Sequence, residues 1–374
     1  MNSSLTGKQI SYLLFGITMG YAVLSIPKNV AEKGGTGGWM VVIVGVIITI
    51  VLSQMFIYVG TYFTNETMDE YLPKLTGNFI SYCIIIIFAI YTFLVGTLIA
   101  RLTCETIRLT MLIHTPVWAL CVLLLFVSFY SMTKSFQSLG RIAEIFGMII
   151  IIFGIMIFTI IFTQGKITNI KPIFAFSEID FFGTLSVIGF SLTGLEIFPI
   201  IPMHNNKKEI SKNIIIIQLI IGFMYILIIE CCISVMGVES IIKYEETLFA
   251  TMRRIELPQL QFLKRIDGIF LIVWLLALYF TVLYECYITV YFTEKLIKVN
   301  KASDKNKNII ILIIFIISII VCLAPSSLLE TKSILNIIGY VGIGINIGLP
   351  LILFILTKLK KNKKTRFSID KKHN

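Results

Sequence analysis

Ten stretches of this chain are each long and apolar enough to cross a lipid bilayer, and no other feature restricts its fold so strongly. They fall near 10–33, 37–63, 77–100, 116–131, 141–163, 183–203, 211–236, 266–293, 309–324 and 334–357. A crossing helix needs about 20 mostly apolar residues. Inside lipid, only helices and closed barrels satisfy their own backbone hydrogen-bonding groups. Composition agrees with a membrane-spanning chain: 57% of residues are hydrophobic and 14% charged, against roughly 45–50% and about 25% in soluble domains. The expected fold class is an all-α polytopic membrane protein with ten transmembrane helices, forming one integral membrane domain over residues 1–374.

Two of the spans are interrupted. In the first, Leu13 to Pro27 reads LLFGITMGYAVLSIP, broken by Gly16, Gly20 and Pro27; its counterpart, Gly189 to Pro202, reads GFSLTGLEIFPIIP. A broken helix is tolerated in a membrane only where protein or a cavity supplies partners for the freed backbone. Two interrupted segments in corresponding positions of two halves point to a transporter-type binding site. The spans divide into five-helix repeats over 6–165 and 180–357, followed by a basic tail over 358–374. Because five is odd, the second repeat enters from the opposite side, as an inverted repeat requires.

Lys and Arg set orientation. With the N-terminus inside, the inner segments hold Lys8, Lys74, Lys134, Arg141, Lys207, Lys208, Lys212, the five lysines of 294–308 and the eight basic residues of the tail. Both termini are therefore expected in the cytoplasm. The net charge of +11 follows from these membrane-flanking clusters, so no nucleic-acid partner is expected. Only Lys8 precedes the first apolar run and no small-residue cleavage site follows it, so the first helix is expected to stay as an uncleaved anchor. Seven cysteines lie in or beside apolar runs, without the spacing of a metal site or disulfide framework. The segment 237–262 carries Ile241, Ile242, Leu248, Phe249 and Met252 near one helical face and reads as an interfacial amphipathic helix lying on the headgroups, with a gate or docking surface as the other reading.

At an unwound point, free N–H groups and free carbonyls stand close together, as donors for a carboxylate and acceptors for an ammonium. The candidates are Gly20, Tyr21, Ala22 and Val23 in the first break, and Thr193, Gly194 and Leu195 in the second. Helix packing is the competing reading for the glycines. Charged residues within spans are functional candidates by default. Glu196 follows the second break, either as a cap that stabilises it or as a partner for an ammonium, a cation or a proton. Glu285 lies one turn after Thr281 on the same face. Arg101, Glu105 and Arg108 form a ladder that reads as a structural ion-pair cluster. His114 and His204 sit at span ends and His373 in the tail, and no nucleotide-binding, zinc-protease or hydrolase motif is present. An enzyme, a cofactor and a metal are not expected.

The run GITMGYAVLSIPKNV, the RLTCETIR–x5–HTP stretch, the FSLTGLEIFPIIP block with its following lysines and the KRIDGIFLIVW block together resemble the membrane B subunits of bacterial spore nutrient-germinant receptors. That family belongs to the amino acid–polyamine–organocation superfamily. The resemblance runs over roughly residues 6 to 357. It implies a leucine-transporter-like fold with inverted five-helix repeats and broken helices 1 and 6. It also implies a role in the spore inner membrane, with A- and C-type partner subunits and a small nutrient germinant, commonly an amino acid. The family's pocket, formed by its first, third, sixth and eighth helices, carries over to Gly20, Val95 with Thr97, Thr193 and Thr281, with Glu285 a turn away. One departure is visible: the first break often reads Gly-x-Gly, and here it is Gly20-Tyr21-Ala22, so the germinant is expected to differ or be smaller. A proton- or cation-coupled amino-acid permease and a ligand-gated pore are the alternative functions.

Overall fold

The computed structural model describes residues 5–20, 23–174, 179–192, 194–204, 206–255, 266–297 and 304–373. Among these residues there is no strand. The helices are α1 (Gly7–Thr18), α2 (Ile26–Gly34), α3 (Gly38–Tyr62), α4 (Met68–Thr76), α5 (Asn78–Thr110), α6 (Val117–Met132), α7 (Phe136–Thr163), α8 (Phe181–Ser191), α9 (Lys207–Met236), α10 (Val238–Ile241), α11 (Thr247–Arg253), α12 (Ile266–Leu296), α13 (Asp304–Leu323) and α14 (Leu328–His373).

Seven helices among the described residues are long and apolar enough to cross a membrane, rather than the ten stretches expected. The difference has physical causes. The first and sixth expected spans are divided into short pieces, and α6 has only 16 residues. Helix α2 also runs through the 3-10 turn Gly35–Gly37 into α3, so the two count as one 37-residue span.

The half-helix α1 begins with a capping box. Thr6 accepts from the Gln9 backbone N–H at 3.2 Å while Gln9 accepts from the Thr6 N–H at the same distance. Helix α1 is enclosed by α7, α9 and α12, and Leu13, Leu14 and Phe15 are almost completely buried. A helix that is apolar nearly all round belongs inside a bundle. The most extensive helix contact joins α5 to α12, and α3 packs on α9 and α14. Polar side chains stitch α3 to α9: Ser53 donates to Gln218 Oε1 at 3.1 Å, and Gln218 donates to the Thr49 carbonyl at 3.2 Å. The peripheral helix α13 turns Leu312, Ile313, Ile316 and Ile320 outward, as a lipid-facing surface requires.

The segment after α9 departs from expectation. It is not one helix lying on the headgroups but two short ones, α10 and α11, packed against α9, α12 and α2. Ile241, Leu248, Phe249 and Met252 are buried in protein, and the Phe249 ring meets Phe270 at 5.5 Å and Trp274 at 5.7 Å. The apolar face is real, but helices cover it. In the ladder on α5, Arg101 and Glu105 are buried as well, while Arg108 is half-exposed. Arg101 lies 3.6 Å from Glu105 and donates to the Pro325 carbonyl at 3.0 Å, fastening α5 to the α13–α14 turn.

Candidate functional site

Helix α1 stops at Thr18, and its last carbonyls have no next turn to bond with. Side chains from other helices take them up. Thr281 Oγ1 lies 2.9 Å from the Gly16 carbonyl and 3.0 Å from that of Ile17. Tyr225 OH lies 2.8 Å from the Thr18 carbonyl, and Trp274 Nε1 donates to the Gly20 carbonyl at 3.1 Å. Helix α2 then starts at Ile26 with Pro27 in its first turn, where the missing N–H costs nothing.

The second interruption follows α8. Gly194 has φ +136°, a conformation that side-chain-bearing residues rarely adopt. Leu195–Ile200, containing Pro199, forms a six-residue 3-10 helix. The expected second half-helix with a full positive dipole end is therefore absent here, because Gly194 and Pro199 leave too short a run for α-helical turns. Glu196 fills the donor side of the break. Its Oε2 accepts from the Gly194 N–H at 2.6 Å, while Oε1 accepts from Tyr91 OH at 3.0 Å and Asn346 Nδ2 at 2.7 Å. Three donors thus engage the buried Glu196 carboxyl, the contacts that a cap makes.

The two interruptions meet. Tyr225 on α9 sits between them, its hydroxyl 2.8 Å from the Thr18 carbonyl and 2.9 Å from that of Ser191 at the end of α8. A Cβ on Gly194 would stand 2.2 Å from Thr18 Oγ1, so the breaks touch directly at this glycine.

The expected site residues divide accordingly. Gly20 and Thr281 come together so closely that a Cβ on Gly20 would lie 2.1 Å from Thr281 Oγ1. They are packed against each other, without a cavity between them. Val23 and Leu195 are buried at the edges of the breaks. Val95 and Thr97 are both buried on α5, but two residues apart on a helix point about 200° apart. They point to different sides of α5, and the Thr97 hydroxyl donates to the Phe93 carbonyl at 2.8 Å. Glu285 is buried, and its Oε2 has no hydrogen-bond partner among the described residues. It lies within electrostatic range of Glu196. Tyr21, Ala22 and Thr193 lie outside the described residues.

A cavity of about 150 Å³ opens between α2, α8 and α14, lined by Ser25, Asn29, Ser186, Ser191, Asn336 and Tyr340 among others. A second, largely apolar cavity of about 240 Å³ between α3, α8 and α14 reaches Leu195 and Asn346. A third, of about 280 Å³, lies between α4, α5 and α12 and is lined by Asp69, Ser81 and Lys295. Sequence reasoning missed Tyr225, Tyr91, Asn346 and the α14 contribution. The available signal was polarity inside apolar helices: Asn336 and Asn346 within a membrane span, and Tyr225 alone in an isoleucine-rich run.

A family model described as "Spore germination protein" matches residues 4–328. Spore germination protein KB of Bacillus subtilis (strain 168) is 26% identical over 373 residues, covering 96% of each chain. Spore germination protein YndE of the same organism is 21% identical, covering 96% of this chain and 98% of its own. GerLB of Bacillus cereus is 24% identical over 95% of this chain and 94% of its own. Among solved structures, a substrate-bound, outward-open Na+-coupled sialic acid symporter superposes with a TM-score of 0.70 at 15% identity, over 94% of this chain and 78% of its own. A manganese transporter of Eremococcus coleocola gives 0.65 at 14% identity, over 93% and 78%. These structures share the leucine-transporter type of fold.

Proposed function

This chain belongs to the spore germination protein family, and from that premise we propose that it is the nutrient-sensing membrane subunit of a spore germination receptor. In this reading a small germinant, an amino acid by preference, binds at the paired helix interruptions in the spore inner membrane. A- and C-type subunits read the resulting change of conformation. The architecture is ten spans in a 5+5 inverted repeat, with both termini cytoplasmic; α1 with α2, and α8 with the turn after it, are its broken helices 1 and 6.

One observation carries the reading: a single buried hydroxyl, that of Tyr225, bridges the freed carbonyls of both interruptions. Anything that binds there acts on two half-helices at once. A ligand moves a conformational equilibrium only by its differential affinity for the two states, and backbone groups at the two helix ends provide that difference. Gly20, Tyr21, Ala22, Val23, Thr193, Gly194 and Leu195 supply the backbone of the site. Thr281 orients α1, and Glu285 presents its free oxygen to an ammonium.

The test uses spores that carry the receptor and assemble it normally. Glu285→Gln should abolish the response to the cognate nutrient without lowering receptor levels. A full response in spores with wild-type receptor abundance would remove Glu285 from the site. The same unpartnered carboxyl oxygen favours a second reading, a proton- or cation-coupled permease. Uptake of labelled amino acid by proteoliposomes, lost in Glu285→Gln, would select it.

A further inference from the structure

The cavity between α2, α8 and α14 touches both interruptions, since Ser25 is the cap residue of α2 and Ser191 the last residue of α8. Resting on the sensing role above, we propose that this cavity reads the variable part of the ligand. The matching chemistry is a small nutrient whose variable group is uncharged and hydrogen-bonding, a hydroxyl or a carboxamide.

Three observations lead there. First, four of the polar lining side chains are uncommitted, while the Ser186 hydroxyl donates to the Gly183 carbonyl at 2.8 Å. Ser25, Asn29, Ser191 and Asn336 have no side-chain hydrogen bond to any described residue, and the cap position of α2 makes no side-chain cap bond. Ser25 and Asn29 are half-buried and Asn336 is exposed, so these hydroxyl and amide groups are open to bond a ligand. Second, the lining contains hydroxyls and amides but no Asp, Glu, Lys, Arg or His among the described residues. Serine and asparagine can donate and accept, so they match a hydroxyl or carboxamide. A charged group would be desolvated without a counter-charge, and an aliphatic one would leave the amides unpaired. Third, the residues stand at helical repeats that face one space: Ser25 and Asn29 four apart on α2, Asn336 and Tyr340 four apart on α14. At about 150 Å³, the cavity is smaller than the ~300–1,000 Å³ of drug-sized pockets, which limits it to a small metabolite.

The assignment adds α14 to the elements that choose the ligand, and it makes Asn336 a specificity residue. Asn336 is exposed to the cavity mouth, so its replacement leaves the core intact. The experiment is equilibrium binding to the purified full-length chain in lipid nanodiscs, with size-matched probes. L-asparagine and L-serine are compared with L-aspartate, L-2,3-diaminopropionate and L-valine. The expected result is binding of L-asparagine or L-serine at least about tenfold tighter than the charged and aliphatic probes. Asn336→Leu should remove that preference, and Asn336→Gln should restore part of it. Equal or tighter binding of L-aspartate, L-2,3-diaminopropionate or L-valine overturns the assignment. So does an unchanged preference in Asn336→Leu, or no binding of either uncharged polar probe. Spore germination is a separate readout. Selective binding by a chain whose spores ignore the bound nutrient would defeat the sensing role and leave the cavity assignment standing.

Discussion

A single phenol holds two helix ends. Tyr225 has one hydroxyl hydrogen for the carbonyls of Thr18 and Ser191, and both distances suit a hydrogen bond. Removing that hydroxyl leaves two buried acceptors without it, and an unpaired buried polar group costs about 1–3 kcal/mol. Tyr225→Phe should therefore destabilise the full-length protein by about that amount. Tyr91→Phe should cost less, about 0.5–1.5 kcal/mol, because Glu196 keeps Asn346 and the Gly194 N–H as donors. Thermal unfolding in one detergent ranks the pair, and a reversed order would place the main tie at Glu196 instead. Gly194 gives a sharper case. At φ +136°, with Thr18 Oγ1 only 2.2 Å from where a Cβ would sit, alanine meets backbone strain and a collision together. Gly194→Ala should lose at least the ~1–3 kcal/mol of a strained backbone residue in the same assay.

At the level of elements, the α10–α11 segment is tied to two helices that line the polar cavity. Lys28 on α2 pairs with Glu245, and Lys332 at the start of α14 reaches Glu245 at 3.0 Å and Glu246 at 3.2 Å. The hydrogen bond from Lys28, aided by Lys332, holds the Glu245 carboxyl below its usual range, while burial pushes Glu246 up. The signs are opposite. The contribution of Glu245 is complete above the ordinary carboxylate value of about 4.3 and is lost as pH falls through its lowered value. That of Glu246 is present below the ordinary value and fades as pH rises through its raised one. Glu245→Gln, which imitates the acid form at neutral pH, should speed trypsin cleavage after Arg253 or Arg254 by up to about fivefold, the worth of an exposed ion pair. Glu246→Gln should leave the rate equal or slower; no acceleration in Glu245→Gln would refute the tie through Glu245. The sequence reveals such elements unevenly. The long helices α3, α7, α9 and α12 lie within a few residues of the expected spans, because apolar length is a local property. The interruptions were also legible, since Gly20, Pro27 and Gly194 act on their own backbone. The covering of Leu248 and Phe249 was not, because headgroups and packed helices satisfy the same amphipathic pattern. Nor was Tyr225, whose bond to Thr18 spans 207 positions and leaves no local trace.

For the whole molecule, the arrangement of cavities decides between a binder and a machine with two states. The polar cavity of α2, α8 and α14 lies at the interruptions, and the cavity lined by Asp69, Ser81 and Lys295 lies at the far ends of α5 and α12. Proceeding along α5 and α12 from that far cavity, Phe88 meets Phe292 at 5.6 Å, Thr92 bonds Thr289 at 2.9 Å, and Tyr91 then reaches Glu196. These contacts form a partition between the far cavity and the second interruption. If the two cavities open in alternation, a ligand in one must change access to the other, because both report the same equilibrium. Thiol labelling tests this directly. Cys83 is exposed and the other six cysteines are buried, so a Cys83→Ser background should be nearly silent to a maleimide. In that background, saturating L-asparagine should slow labelling of Ser186→Cys by filling its cavity, and should change the rate at Asn78→Cys in the far cavity severalfold. Protection at Ser186→Cys with no change at Asn78→Cys would mean that the ligand binds without moving the partition.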